Sequence, residues 1–252
     1  MPSRDAVLLE NWFPSASEIS VRFGASSQAT GFISNPGALL AWNGPTSYKL
    51  FASTNLGIFD VSAVGAIGAA VAACTNAYWQ HVNFTTPGGS YLVAVNGIDK
   101  LKLYDGTTWF AIDGASTPAI TGLATTSLTN VAVMVSRLWF VGLDSTAAWY
   151  LPVASVGGAL TKFDLGTVFT RGGHLVAMHG WTLDGGNGQD DYSVFISSEG
   201  EVAVYKGTDP ASATTWAKVG TYYVGQPLGK NCLAKFGGDL LILSKNGLFP
   251  LS

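Results

Sequence analysis

The chain has 252 residues, 48% of them apolar and only 12% charged, with 31 glycines and a net charge of -3. That length suits one large β domain or two small ones, and the charge balance excludes a basic footprint for tight, salt-sensitive nucleic-acid binding. An ordinary soluble domain carries about a quarter charged residues, and a surface this short of charge is one that neighbours often cover.

The N-terminal stretch MPSRDAVLLENWFP, Met1 to Pro14, lacks a basic flank followed by a long apolar core, so no secretory signal is predicted. Next comes EISVRFG, Glu18 to Gly24, which alternates as a strand does. The apolar segment AVGAIGAAVAAC, Ala63 to Cys74, is only about a dozen residues long, against the roughly 20 that a membrane span requires. No membrane-spanning segment is predicted.

Helical periodicity is nearly absent. Short runs of Val, Leu, Phe, Tyr and Trp instead recur between clusters of Gly, Asn, Asp and Ser, which is an all-β signal. Five stretches share one form, an apolar strand, a short polar turn and a second strand. They are Tyr48 to Ser62, Ser90 to Gly106, Arg137 to Pro152, Ser193 to Gly207 and Asp239 to Ser252. Their anchors Leu50, Leu92, Leu138, Val194 and Leu240 recur at intervals of roughly 45 residues, the longest lying before Val194 where LDGGNGQDD is inserted. Asn96-Gly97 and Asn246-Gly247 predict tight type I′ turns, and Leu56-Gly57 and Glu199-Gly200 occupy the same slot.

Another strand precedes each hairpin, at Ala38 to Trp42, Trp79 to Phe84, Asn130 to Val135, His174 to His179 and Cys232 to Phe236. A fourth follows at Thr107 to Ile112 and Thr214 to Val219. Four short strands repeating at this spacing predict a β-propeller-like array of about five to six four-stranded blades, with an irregular β-sandwich as the alternative. The repeats fall near residues 36–75, 76–122, 123–170, 171–228 and 229–252 of a single domain, 1–252. The fifth stops before an outer strand, and the 1–35 segment, through Glu18 to Gly24, is a candidate to complete it.

Chemistry-bearing residues are few. Glu199 and Glu201 could form the close carboxylate pair of a retaining glycosidase, but they occupy a turn slot that other repeats fill with other residues. A hairpin is therefore expected, with Glu199 and Gly200 in the turn and Glu201 on the strand face of Ala203 and Tyr205. His174 and His179, five apart, point to opposite faces of a strand and do not make a metal pair, while His81 stands beside Trp79. Asp184, Asn187, Asp190 and Asp191 faintly match a calcium loop without its closing glutamate. Cys74 and Cys232 are expected as buried, reduced thiols. YDGTTW, Tyr104 to Trp109, is similar to the structural Asp-box turn of sialidase-type propellers, and Trp109, Trp149 and Trp216 are expected between blades. No catalytic, cofactor or metal residue is assigned, and no enzyme is predicted.

Four stretches, DAVLLENWFP (Asp5 to Pro14), LWFVGLDSTAAWYLP (Leu138 to Pro152), FDLG (Phe163 to Gly166) and SSEGEVAVYKGTDP (Ser197 to Pro210), resemble tail structural proteins of short-tailed phages and prophages. These are the packaged-DNA stabilisation or tail nozzle (tail hub) proteins. The resemblance implies a propeller-containing subunit in a ring, typically a homohexamer, that prolongs the portal-neck channel, helps retain packaged DNA and conducts it during ejection. It implies portal or adaptor proteins and tail fibre or tip proteins as partners, passing double-stranded DNA without sequence-specific binding, and location in the virion after synthesis in the host cytoplasm. Family members are generally longer, and this chain matches their N-terminal portion. Two rival readings are a carbohydrate- or receptor-binding propeller, which needs exposed Trp and Tyr in a shallow groove, and a propeller glycan hydrolase, which needs convergent carboxylates at the central funnel.

Overall fold

The computed structural model describes residues 10, 12–14, 17–21, 24, 26–184 and 189–252. Five antiparallel sheets follow one another along the chain. Blade 1 holds Ala38–Asn43, Tyr48–Thr54 and Gly57–Asp60; blade 2 holds Gln80–Thr86, Gly89–Val95, Leu101–Tyr104 and Trp109–Ile112. Blade 3 holds Leu128–Met134, Arg137–Gly142, Ala147–Tyr150 and Thr161–Asp164, and blade 4 holds Leu175–Asp184, Gln189–Ser197, Glu201–Gly207 and Trp216–Tyr223. Blade 5 holds Leu233–Phe236, Asp239–Ser244 and Gly247–Pro250.

Each blade packs on the next chiefly through its first strand, so the first strands are innermost and the later ones step outward. A sandwich would instead stack two sheets face to face, and that alternative is set aside. The four-strand expectation holds for blades 2, 3 and 4, whereas blades 1 and 5 have three strands. In blade 1 a single bridge, Ile58 to Ala72, stands where the fourth strand would run. Ile19–Val21, expected to complete the last blade, pairs with Trp12–Pro14 instead. A partner a few residues away costs far less chain entropy to reach than one at the other end of the chain. Two short parallel ladders, Ala29–Thr30 with Gly65–Ala66 and Ile120–Thr121 with Gly158–Ala159, had no signature in the sequence.

Alternation along the strands builds four cores, one between each pair of neighbouring blades. Leu40, Phe51 and Ile58 of blade 1 meet Leu92 and Tyr104 of blade 2, and Val194, Ile196 and Val202 of blade 4 meet Leu240 and Ile242 of blade 5. Each such side chain contributes about 1.5–3 kcal/mol when fully buried. Between blades 3 and 4 lies Trp139, fully buried, its ring stacked on Trp216 at 6.0 Å and its indole N–H donated to the Met134 carbonyl at 3.1 Å. Trp109 sits between blades 1 and 2, 5.1 Å from Phe51, as expected. The Asp-box turn is structural: Asp105 accepts the N–H groups of Thr107 and Thr108 at 2.8 and 2.7 Å. Gly106 there has φ +99°, and a Cβ on it would lie 2.8 Å from the Trp42 ring.

The tight turns differ from expectation. The Asn96 side chain accepts the N–H groups of Ile98 and Asp99, at 3.0 and 2.8 Å, and so opens a wider loop between Gly89–Val95 and Leu101–Tyr104. At the last hairpin Ser244 pairs with Gly247, which makes Lys245 and Asn246 the turn. The Ser244 hydroxyl accepts the Asn246 N–H at 3.2 Å, and Thr54 does the same for Leu56 at 3.0 Å in blade 1. Among the described hairpins between paired blade strands, two successive positive φ values occur at Val135-Ser136, 52° and 55°, a pair whose residue types give no hint of it.

Candidate functional site

The two glutamates of SSEGEVAVYKGTDP are held apart by the turn between them, in which Gly200 takes φ +84°. A Cβ on Gly200 would collide with the Gly225 backbone, so the hairpin tip and the connector into blade 5 touch at glycine on both sides. Glu199 accepts a hydrogen bond from the Gln226 amide at 3.1 Å, and Gln226 in turn accepts one from Lys245 at 2.6 Å. Glu201 turns the other way. It is 4% exposed and accepts the Thr170 N–H at 3.0 Å, the Thr170 hydroxyl at 2.8 Å and the Arg171 N–H at 2.8 Å. Burial opposes its ionisation, but these bonds together outweigh burial and hold the carboxyl below its ordinary pKa. The Arg171 guanidinium lies 3.9 Å over the ring of Tyr223, which is the residue opposite Glu201 in the ladder. One glutamate thus ties blade 4 to the preceding connector and the other ties it to the following one.

His174 and His179 line different cavities, but not through strand alternation: His174 precedes the strand, which starts at Leu175, and a register shift between Leu175 and Ala177 interrupts the alternation. Within the calcium-like stretch, 185–188 and so Asn187 lie outside the described residues, while Asp191 accepts the Thr182 hydroxyl at 2.8 Å. Among the described residues no group of three His, Cys, Asp or Glu is placed to hold a metal ion. Cys74 and Cys232 are buried in separate cores, and burial pushes the Cys232 thiol up to about 11.

Two concave sites stand out. The first is axial, of about 390 Å³, where inner strands of blades 2 to 5 converge. His81, Asn130, His179, Lys230 and Lys235 are among its polar lining, and it contains no Asp or Glu side chain among the described residues. Burial holds the imidazoles of His81 and His179 below the ordinary range. Sequence reasoning weighed His179 against His174 and left His81 by itself. The cavity that His81 and His179 share joins strands roughly 50–100 residues apart, a relation that only the blade geometry supplies. The second is a groove of about 360 Å³ between blades 4 and 5, lined by Trp181, Tyr192, Tyr222 and Phe249. Trp181 packs 5.2 Å from Tyr192 and donates its indole N–H to the Gly238 carbonyl at 3.2 Å.

No protein-family model matches the sequence, and no curated protein matches it. Among solved structures, BBS1N in complex with ARL6DN is similar, with a TM-score of 0.53 and 13% identity over 92% of this chain and 68% of that one. The extracellular domain of the hybrid two-component system BT3049 from B. thetaiotaomicron is similar too, with a TM-score of 0.53 and 15% identity over 89% of this chain and 29% of that one. The fold is a five-bladed β-propeller arrangement. This chain spans about two thirds of BBS1N and under a third of the BT3049 domain, and at such identities the likeness carries the fold alone. No helix among the described residues is long and apolar enough to cross a membrane.

Proposed function

We propose that this chain is a structural virion protein of a short-tailed phage, a ring-forming nozzle or hub subunit that extends the portal-neck channel, helps retain packaged DNA and conducts it during ejection. The observation that carries this reading is the state of the terminal blades. In blade 5, Leu240 and Ile242 face blade 4, so the alternate residues Leu241 and Leu243 face away, and Leu243 stands opposite an exposed Leu248. In blade 1, Leu40 faces blade 2 and Leu39 faces away, 59% exposed. Apolar sheet faces of this kind are ordinarily covered by another polypeptide. A charge-poor surface and a net charge of -3 suit subunits that pack side by side around DNA without holding it. Neutral or acidic residues are expected to line the lumen of the ring.

Native mass spectrometry and negative-stain imaging of the purified protein test this. Sixfold rings, weakened by Leu243→Glu with Leu248→Glu, are the expected result, and a monomer at 100 µM (roughly a hundred times a 1 µM Kd) overturns it. Labelling on virions should place the protein on the neck axis.

A second reading, a carbohydrate- or receptor-binding module of the tail, is favoured by the aromatic groove of Trp181, Tyr192 and Tyr222, because rings of this kind offer flat apolar faces beside polar tips. A glycan array that lights up with wild type and goes dark with Trp181→Ala would favour it over the nozzle.

A further inference from the structure

In blades 2 and 3 the third strand ends beside a bulky residue of the segment that follows it. Tyr104 lies opposite Leu92 on one side and Trp109 on the other, and all three pack in the core between blades 1 and 2. In blade 3 Leu151 donates its N–H to the Leu138 carbonyl at 3.0 Å, and it shares a core with Leu160, the residue just before the outer strand Thr161–Asp164. Tyr104 and Leu151 are both buried.

Leu251 holds the same place in blade 5. Its N–H reaches the Leu240 carbonyl at 3.2 Å, and its side chain packs on the core between blades 4 and 5. Among the described residues no outer strand stands beside it, and Leu251 is only half-buried. Where Trp109 flanks Tyr104 in blade 2, Leu251 borders instead the groove of about 360 Å³, whose far wall is Trp181, Tyr192, Val204 and Tyr222 of blade 4. Trp181 and Tyr192 pack on the core that Val194, Leu240 and Ile242 form, so the groove continues the interface between the two blades. The backbone at its rim is open as well. Because the Leu251 N–H turns toward Asp239–Ser244, alternation turns the backbone groups of Leu248 and Pro250 away from that strand. Gly247–Pro250 is the edge of its sheet, and its free side offers the Leu248 N–H and the carbonyls of Leu248 and Pro250. Pro250 sits where its missing N–H breaks no bond within the sheet.

We propose that this groove binds an extended segment of another polypeptide, which pairs with Gly247–Pro250 as a fourth strand and seats a tryptophan-sized aromatic side chain beside Leu251. The chain's own outer strands give the chemistry of the occupant. Thr107-Thr108-Trp109 and Thr214-Thr215-Trp216 each deliver an indole to a blade interface, Trp109 at 5.1 Å from Phe51 and Trp216 at 6.0 Å from Trp139. An aromatic residue buries about 150–250 Å² in such a seat, and main-chain bonds to an exposed edge fix the direction of the added strand. The groove is the one named above for a glycan, with an occupant of a different class, and the inference stands whether or not the subunit forms a ring.

The test titrates the full chain into a dye-labelled peptide of residues 105–112, DGTTWFAI, following anisotropy, with amide hydrogen exchange of the chain as a second readout. The expected result is saturable binding, with a loss of affinity of about tenfold or more when Ala replaces Trp in the peptide and in the chain variants Tyr222→Ser and Leu248→Pro. Exchange of the Leu248 amide should slow by about tenfold or more in the bound wild-type chain. Tyr48→Ser, exposed on blade 1, should bind like wild type. Absence of saturable binding, equal affinity for the Ala peptide, or undiminished affinity in Leu248→Pro overturns the proposal. So does protection confined to blade 2, where the peptide would have replaced its own strand, and so does a glycan response lost in Trp181→Ala without any binding of the peptide. Should Leu248→Pro fail to fold, the Ala peptide and the Leu248 amide decide with the wild-type chain.

Discussion

Blades 2 and 4 each fasten their middle hairpin to the connector that precedes them with a carboxylate, and they place that carboxylate differently. In blade 2 it is Asp99, a loop residue, which accepts the Thr75 N–H at 2.9 Å, the Thr75 hydroxyl at 2.8 Å and the Asn76 N–H at 3.2 Å, with the Asn96 amide as a fourth donor at 2.8 Å. In blade 4 it is Glu201, on the strand itself, which takes the equivalent three donors from Thr170 and Arg171. The wide Asn96 loop brings a short side chain to the connector, while the tight Gly200 turn leaves the strand farther back and the longer glutamate makes the reach. Connector N–H groups at a blade corner have no ladder to join, and a carboxylate satisfies two of them at once. Blades 3 and 5 make the corresponding junction without a carboxylate, through Leu143 N–H to the Ser127 carbonyl at 2.8 Å and Lys245 N–H to the Gln226 carbonyl at 2.9 Å, the Lys245 ammonium adding a bond to the Gln226 side chain at 2.6 Å.

The largest expected difference between the two blades is at their glycines. Gly200→Ala, forced to keep a positive φ while its methyl meets the Gly225 backbone, should cost about 3 kcal/mol or more. Gly97→Ala, whose nearest neighbour would be a Thr129 methyl at 3.0 Å, should cost about half that. Urea unfolding gives both values, and equal costs would show that the two turns are equally constrained.

Next come the carboxylates. Glu201→Gln should cost about 2–3 kcal/mol, because the amide nitrogen faces donors in a buried site. Asp99→Asn should cost about 1 kcal/mol, since water reaches that side chain. A cost for Glu201→Gln no greater than that for Asp99→Asn would remove burial as the distinguishing factor.

Acid should sharpen the same contrast. Both carboxyls are held below their ordinary values of 3.8 and 4.5, with burial opposing and hydrogen bonds prevailing. Their contribution to stability is therefore full above those values and is lost as pH falls through the folded-state pKa. Between pH 7 and pH 3 the urea midpoint of Glu201→Gln should fall less than that of wild type, and parallel curves would mean that Glu201 is not a source of the acid sensitivity.

The smallest effect belongs to a hairpin with no carboxylate. Ser136, exposed and at φ 55°, should accept glycine with a gain of about 0.5–1 kcal/mol. A loss there would show that the Ser136 side chain contributes something the turn needs.

Blade number and strand order were legible because alternation and turn punctuation repeat, and the anchors Leu92, Leu138, Val194 and Leu240 all fall in buried strands. The turns were less so. Asn96 carries the residue type of a type I′ turn, but its side chain can also bond to the N–H groups that follow it, and that alternative prevailed. The carboxylate junctions were hidden for a different reason. Glu201 meets backbone donors 30 and 31 residues upstream, and any residue offers a backbone N–H, so no pattern of side chains marks the partner. The axial cavity was likewise invisible, since His81, His179 and Lys230 share no local motif and meet only when inner strands converge.

The position of Lys230 also bears on what could travel through the molecule. The connector into blade 5 borders the axial cavity, pinned to blade 3 through Asn130, and the space beside it is pocket-sized at about 390 Å³. The space at the centre of the propeller is therefore pocket-sized and bordered by a connector, too small to pass a duplex. Any passage wide enough for a duplex would have to be walled by the outer surfaces of several subunits, and its width would then be set by how many copies stand in the circle.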